Sequence, residues 1–158
     1  MTAPADPQGA RSAGNHRSWL FVPGNRPDRF DKALASGADA VIVDLEDAVA
    51  PPDKTHARDE VARLLAGHDA FVRINGADTE WYADDLAALG RRPGLAGIIL
   101  PKATTAADVA DVAARTAPGV AIVALVETAA GLHNAGAIAA SSHTTRLAFG
   151  SIDFALDI

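Results

Sequence analysis

Residues 40–54 read AVIVDLEDAVAPPDK, and they decide the fold. The run Val41–Val43 is apolar without alternation, the pattern of a strand covered on both faces, as in a parallel sheet with crossover helices. It drives straight into three carboxylates, Asp44, Glu46 and Asp47. Like charges this close repel, and each costs free energy if it is desolvated without a partner. A buried strand that ends in such a knot predicts cationic groups beside it.

Working outward, five more β-rich runs appear: SWLFV (18–22), AFVRI (70–74), GIILP (97–101), AIVALV (121–126) and RLAFG (146–150). Amphipathic stretches of helical length lie between them, at about 27–36, 53–66, 79–89, 104–116 and 130–140. Turn and cap signals mark the junctions. PGNRPD follows the first strand, APPD precedes the second helix, and Thr104 or Thr105 can cap the helix after Pro101-Lys102.

Two α/β architectures accommodate this alternation. An open doubly wound sheet would carry a glycine-rich G-x-G-x-x-G first turn, and PGNRPD lacks it. A TIM-type (β/α)8 barrel places functional groups at the C-terminal ends of its strands. The sequence has them at five successive strand ends: Asp44–Asp47, Arg73 with Asn75, Lys102, Glu127 with Thr128, and Ser151 with Asp153. The barrel is the expected fold, incomplete at about six βα units. Residues 1–17 read as a disordered leader, and 18–158 as the first three quarters of the barrel domain.

Composition supports a single globular α/β domain: 158 residues, 49% hydrophobic, formal net charge −6. No basic stripe points to nucleic acid, and no apolar run approaches a membrane span. The absence of cysteine removes thiolate and disulfide chemistry. The profile and the lack of a signal-peptide core in the leader predict a cytoplasmic protein.

Glu127 ends the most hydrophobic strand, and Asp153 follows the next one. Adjacent barrel strands would bring the two carboxylates together, a pair of hard oxygen ligands suited to Mg2+. No His-x-His or Cys pair supports zinc. Read singly, Glu127 could be a capped loop residue and Asp153 a helix cap. Arg73 lies late in an apolar strand and needs an anion: the acidic cluster one strand away, a substrate carboxylate, or both. Lys102 has the same two readings, a carboxylate partner or a Schiff-base amine. His133 and His143 read as surface or capping residues.

The segments SWLFVPGNRPDRFDKA, ADAVIVDLEDAVAPPDKTHAR, FVRIN, GIILPKA, VALVETAAGL and LAFGSIDFALDI together resemble the citrate lyase β-subunit-like branch of the HpcH/HpaI aldolase superfamily. Malyl-CoA and citramalyl-CoA lyases are related to it. The resemblance runs in order from Ser18 to Ile158. It implies a Mg2+-dependent carbon–carbon lyase acting on an acyl-CoA or other acyl-thioester and a small keto acid, in a homo-oligomer (trimeric or hexameric in relatives). By motif match, Glu127 and Asp153 become the metal ligands, and Arg73 contacts the bound acid with help from Gly150 and Ser151. Glu46 and Asp47 support the catalytic site, and Phe21, Arg26 and Lys32 stand where relatives contact CoA.

Family members continue through two further strands and a C-terminal segment that reaches a neighbouring subunit's site and supplies a catalytic aspartate in several relatives. The expectation is that lyase activity is reduced or abolished without it. The alternatives are a non-catalytic remnant subunit and a class II aldolase acting on free hydroxy-keto acids.

Overall fold

The structure, a computed structural model, describes residues 15–158. Most of the expected leader therefore lies outside the described residues. Of its last three residues, Arg17 donates its backbone N–H to Asp39 Oδ2 at 2.8 Å.

Six parallel strands form one sheet in chain order: β1 (Trp19–Pro23), β2 (Ala40–Asp44), β3 (Ala70–Arg73), β4 (Leu95–Leu100), β5 (Ala121–Val126) and β6 (Arg146–Phe149). Between them run α1 (Phe30–Leu34), α2 (Lys54–Leu64), α3 (Tyr82–Leu89), α4 (Ala106–Arg115), α5 (Ala129–His133) and α6 (Ala135–Ala139), with α7 (Ser151–Asp157) after β6. A doubly wound sheet reverses its strand order at a switch point. Here no reversal occurs, which is the winding of a barrel.

Residue parity confirms that reading. Val41 and Val43 of β2, Val72 of β3, Ile98 of β4 and Ile122 of β5 share one core cluster with Val61, Leu86, Leu89 and Val109 from the helices. The opposite parity, Ile42, Phe71, Ile99 and Val123, forms a second cluster made only of strand residues. Helices thus cover one face, and the other is the interior of a half-barrel. Phe71, Trp19 and His16 fill its lower end edge to face, with Trp19 and Phe71 ring centroids 4.9 Å apart. Gly97 makes this possible, because a Cβ there would overlap the Phe71 ring. The β3–β4 register shifts at the same level, between Ala70 and Phe71.

Three local features have physical causes, and one of them, the broken helix, departs from the sequence reading. β1 and β6 are edges of this sheet, so Phe21 and Phe149 remain 49% and 57% exposed. The helix expected over 130–140 is two short helices broken at Asn134, whose side chain turns to donate to the Thr104 carbonyl at 2.9 Å. Thr105, not Thr104, is the N-cap of α4, and it forms a reciprocal capping box with Asp108.

Charged residues also hold the outer layer. Arg58 on α2 donates from Nε to Asp85 Oδ1 on α3 at 2.7 Å, and Asp85 Oδ2 accepts from the Asn75 side chain at 2.7 Å and backbone at 3.0 Å. Asp85 is completely buried. Removing it strands a buried guanidinium and two donors, so Asp85→Ala is expected to cost about 3–5 kcal/mol in urea unfolding. Asp84, an exposed neighbour 3.7 Å from Arg58 Nη1, should lose no more than about 0.5 kcal/mol on the same change. Equal effects of the two substitutions would contradict this account.

Candidate active site

The strand register creates the site. Asp44 at the end of β2 is paired with Arg73 at the end of β3, and both have the parity of the inner face. Arg73 binds Asp44 as a fork, Nε to Oδ1 at 2.7 Å and Nη2 to Oδ2 at 2.6 Å. Its third nitrogen, Nη1, lies 3.1 Å from Glu46 Oε2 and 3.3 Å from Asp47 Oδ2. The Glu46 contact is electrostatic and not a well-aligned hydrogen bond, because Glu46 Oε2 is left without a donor. Phe21 places its ring centroid 5.2 Å from the guanidinium carbon. The cation required by the acidic knot is therefore Arg73.

The loop after β2 is fixed from beneath. Asp44 accepts the backbone N–H groups of Glu46 and Ala48 at 2.9 and 3.1 Å. Lys54, buried at the start of α2, donates to the carbonyls of Leu45 and Glu46, both at 2.7 Å, and its ammonium sits 5.2 Å from the Trp81 ring centroid. Burial lowers the Lys54 pKa, and the charges of Asp44 and Asp85 oppose that shift. Sequence reading did not single out Lys54, Arg58 or Asp85. A long charged residue on an amphipathic helix resembles a solvated one, and only the buried position distinguishes them.

Glu127, one residue past β5, is 2% exposed. Its Oε1 accepts the backbone N–H of Lys102 at 2.8 Å, and its Oε2 faces Gly150, where a Cβ would overlap it. Burial raises the Glu127 pKa, opposed by the Lys102 N–H and reinforced by the charge of Asp153. Asp153 is half-buried in the first turn of α7. Two mutually repelling carboxylates on adjacent strand ends, one deeply buried, form a donor set that fits a hard divalent cation retaining several waters. Among the described residues no group of three or more His, Cys, Asp or Glu side chains forms a metal cage. Gly150 is thus the residue that lets the β6–α7 turn approach Glu127.

Lys102 joins the two halves of the site. Its ammonium is 3.8 Å from Glu46 Oε1, while its backbone holds Glu127. Glu46 itself is pushed up to a pKa of about 7, chiefly by burial, with Arg73 pulling it down and Asp47 and Glu127 pushing it up. Asp44, Glu46, Asp47, Glu127 and Asp153 face Arg73, Lys54 and Lys102, a formal excess of two negative charges.

The other sequence-derived candidates are more dispersed. Phe21 and Lys32 line one concavity of about 430 Å³ beside β1, together with Leu20 and Arg29. Arg26 lies outside it, in an exposed fork with Asp28 at 2.8–2.9 Å. Phe21 also borders the larger concavity of about 550 Å³ on the inner face. Ser151 is exposed as the first residue of α7, and His133 and His143 are exposed as expected. No helix among the described residues is long and apolar enough to cross a membrane.

The sequence pattern of the HpcH/HpaI aldolase/citrate lyase family matches residues 17–158. A (3S)-malyl-CoA thioesterase of Cereibacter sphaeroides is 41% identical over 155 residues, which cover 94% of this chain and 53% of that protein. An L-malyl-CoA/beta-methylmalyl-CoA lyase of the same species is 39% identical, with 94% and 52% covered. The crystal structure of CitE from Mycobacterium tuberculosis in complex with magnesium and acetoacetate superposes with a TM-score of 0.77 at 40% identity, over 90% of this chain and 58% of CitE. A further CitE structure contains magnesium, acetoacetate and coenzyme A. The chain spans about half the length of the curated relatives it matches. In winding and sequence alike, it belongs to the HpcH/HpaI aldolase/citrate lyase family.

Proposed function

We propose that this chain carries the metal and acid-binding half of a Mg2+-dependent carbon–carbon lyase acting on a 3-hydroxyacyl-CoA-type thioester such as malyl-CoA, citramalyl-CoA or a citryl thioester. The observation that carries the reading is the buried Glu127 with Asp153 beyond the adjacent strand end, two carboxylates whose mutual repulsion a bound cation would offset. The magnesium-bound CitE structures and the malyl-CoA lyase relative support it.

Glu127 and Asp153 would hold the ion, which when bound would polarise the oxygen on which negative charge develops. The chain's own groups do the rest. Arg73, oriented by Asp44 from behind, presents a fixed positive centre to the acid's carboxylate or carbonyl. Exposed Asp47 is the partner it can exchange for that carboxylate without disturbing the Asp44 fork. Glu46, with a pKa near 7 and an oxygen lacking a donor, can hold or release a proton beside the site. Backbone amides at Gly150 and Ser151 would help hold the acid, and Phe21, Arg26 and Lys32 would meet the CoA moiety. The protein would work as a homo-oligomer.

A second reading, hydrolysis of the thioester, is favoured by the similarity to malyl-CoA thioesterases. Products separate the two. Malyl-CoA incubated with the protein and Mg2+ should give acetyl-CoA and glyoxylate, read by liquid chromatography and a hydrazone assay. Malate with free CoA would establish the second reading, and no consumption would favour a non-catalytic subunit.

Calorimetric titration should show Mg2+ binding to the wild type and its loss in Glu127→Gln and Asp153→Asn. Undiminished binding in either variant, or none in the wild type, would remove the proposed ligand pair. A separate pH signature follows from Glu46. Its folded pKa of about 7 exceeds the ordinary 4.5, so folding takes up a proton between those values. Its contribution is fully present below pH 4.5 and is lost as the pH rises through 7. Urea unfolding without divalent cations should therefore show stability falling across that window by on the order of 2–3 kcal/mol. Glu46→Gln should flatten the fall, and an unchanged slope in that variant would contradict the assignment.

A further inference from the structure

Among the described residues, Lys102 alone combines a side chain beyond hydrogen with a positive φ, 49°. An L-residue holds that left-handed conformation only where its surroundings over-determine it, and such positions cluster at functional sites. The surroundings here do so. On one side Pro101 is buried at the end of β4. On the other, Ala103 donates its N–H to the Leu125 carbonyl of β5 at 3.1 Å. Thr104 is pinned through its N–H and hydroxyl, each 2.9 Å from Asp108 Oδ2, and its carbonyl accepts the Asn134 amide at 2.9 Å.

The lysine side chain does not account for this conformation. It is 46% exposed and reaches Glu46 only at 3.8 Å. The backbone does: the left-handed turn aims the Lys102 N–H across to the next strand end, 2.8 Å from Glu127 Oε1. With that oxygen engaged, Glu127 Oε2 faces Gly150 and the turn that leads to Asp153.

We propose that Lys102 is a positioning residue acting through its main chain: the left-handed turn after β4 fixes the Glu127 carboxylate so that one oxygen remains for the cation. The consequence for metal affinity rests on the reading of Glu127 as a ligand, whereas the cause rests on the turn geometry alone. Glycine adopts this conformation without strain, and a β-branched residue does not. The ammonium is dispensable for this role, so the variant that deletes the side chain should behave like the wild type.

Two readouts on the whole chain test the inference. The first is Mg2+ affinity by calorimetry for the wild type, Lys102→Gly and Lys102→Val, with folding checked by circular dichroism. Lys102→Gly should stay within about threefold of the wild type, and Lys102→Val should weaken binding by about tenfold or more, the usual consequence of losing a group that orients a ligand. Equal losses in both variants would assign the effect to the ammonium and overturn the proposal, as would wild-type affinity in Lys102→Val. The second readout needs neither metal nor the valine variant. Amide hydrogen exchange at residue 102, followed by NMR, should be protected in the wild type and in Lys102→Gly and unprotected in Glu127→Ala. Protection unchanged in Glu127→Ala would overturn the inference even if Mg2+ binds. A wild type that binds no Mg2+ but shows Glu127-dependent protection would sink the metal reading and leave the positioning role standing.

Discussion

The fork between Arg73 and Asp44 is the contact on which the site depends. Two parallel hydrogen bonds cross from β3 to β2 at matched register positions, where Asp44 is almost fully buried. A one-residue slip of either strand would turn its own charged side chain to the helix face, break the pair and leave two charges unpartnered. The pair thus stabilises the register as well as the charge. Once Arg73 is held, Glu46 and Asp47 gather around its remaining nitrogen, and the Phe21 ring stacks 5.2 Å from its guanidinium carbon. Lys54 then locks the same loop from below by its hydrogen bonds to two carbonyls.

The layout divides the strand ends into two halves. β2 and β3 carry the arginine and its acids, while β5 and the β6–α7 turn carry Glu127 and Asp153. β4 lies between, and Lys102 in the turn that follows it touches both, by side chain toward Glu46 and by backbone toward Glu127. Opposite electrostatic tasks are thereby separated by one strand. The first half is internally neutralised to a large degree, whereas the second holds two carboxylates in mutual repulsion. That asymmetry explains why the densest acidic stretch of the sequence is not the expected cation site.

Much of this was legible in the sequence. β5 begins and ends where its continuous apolar run does, and β2 runs one residue past its own to Asp44, because a strand covered on both faces needs apolar residues along its length. The strand-end list located Arg73, Lys102, Glu127 and Asp153, since polar groups after such runs have few other reasons to be there. The cation that the acidic run calls for is Arg73, forked on the buried Asp44. What escaped were features that depend on three-dimensional placement. In the Arg58–Asp85–Asn75 network Arg58 and Asp85 are ordinary in their own helices, and Asn75, expected among the strand-end site groups, instead donates to the buried Asp85. The break at Asn134 follows from a long-range hydrogen bond to Thr104. No local signal marks a lysine for the left-handed region, which the packing around Lys102 imposes.

The cation is expected between the ends of β5 and β6 and not within the Asp44–Asp47 cluster. Crystals soaked in Mn2+, a redox-accessible stand-in for Mg2+ with an anomalous signal, test this directly. The account predicts one strong anomalous peak within coordination distance of Glu127 Oε2 and an Asp153 oxygen. A peak held instead by Glu46 and Asp47, with Arg73 displaced from them, would contradict it.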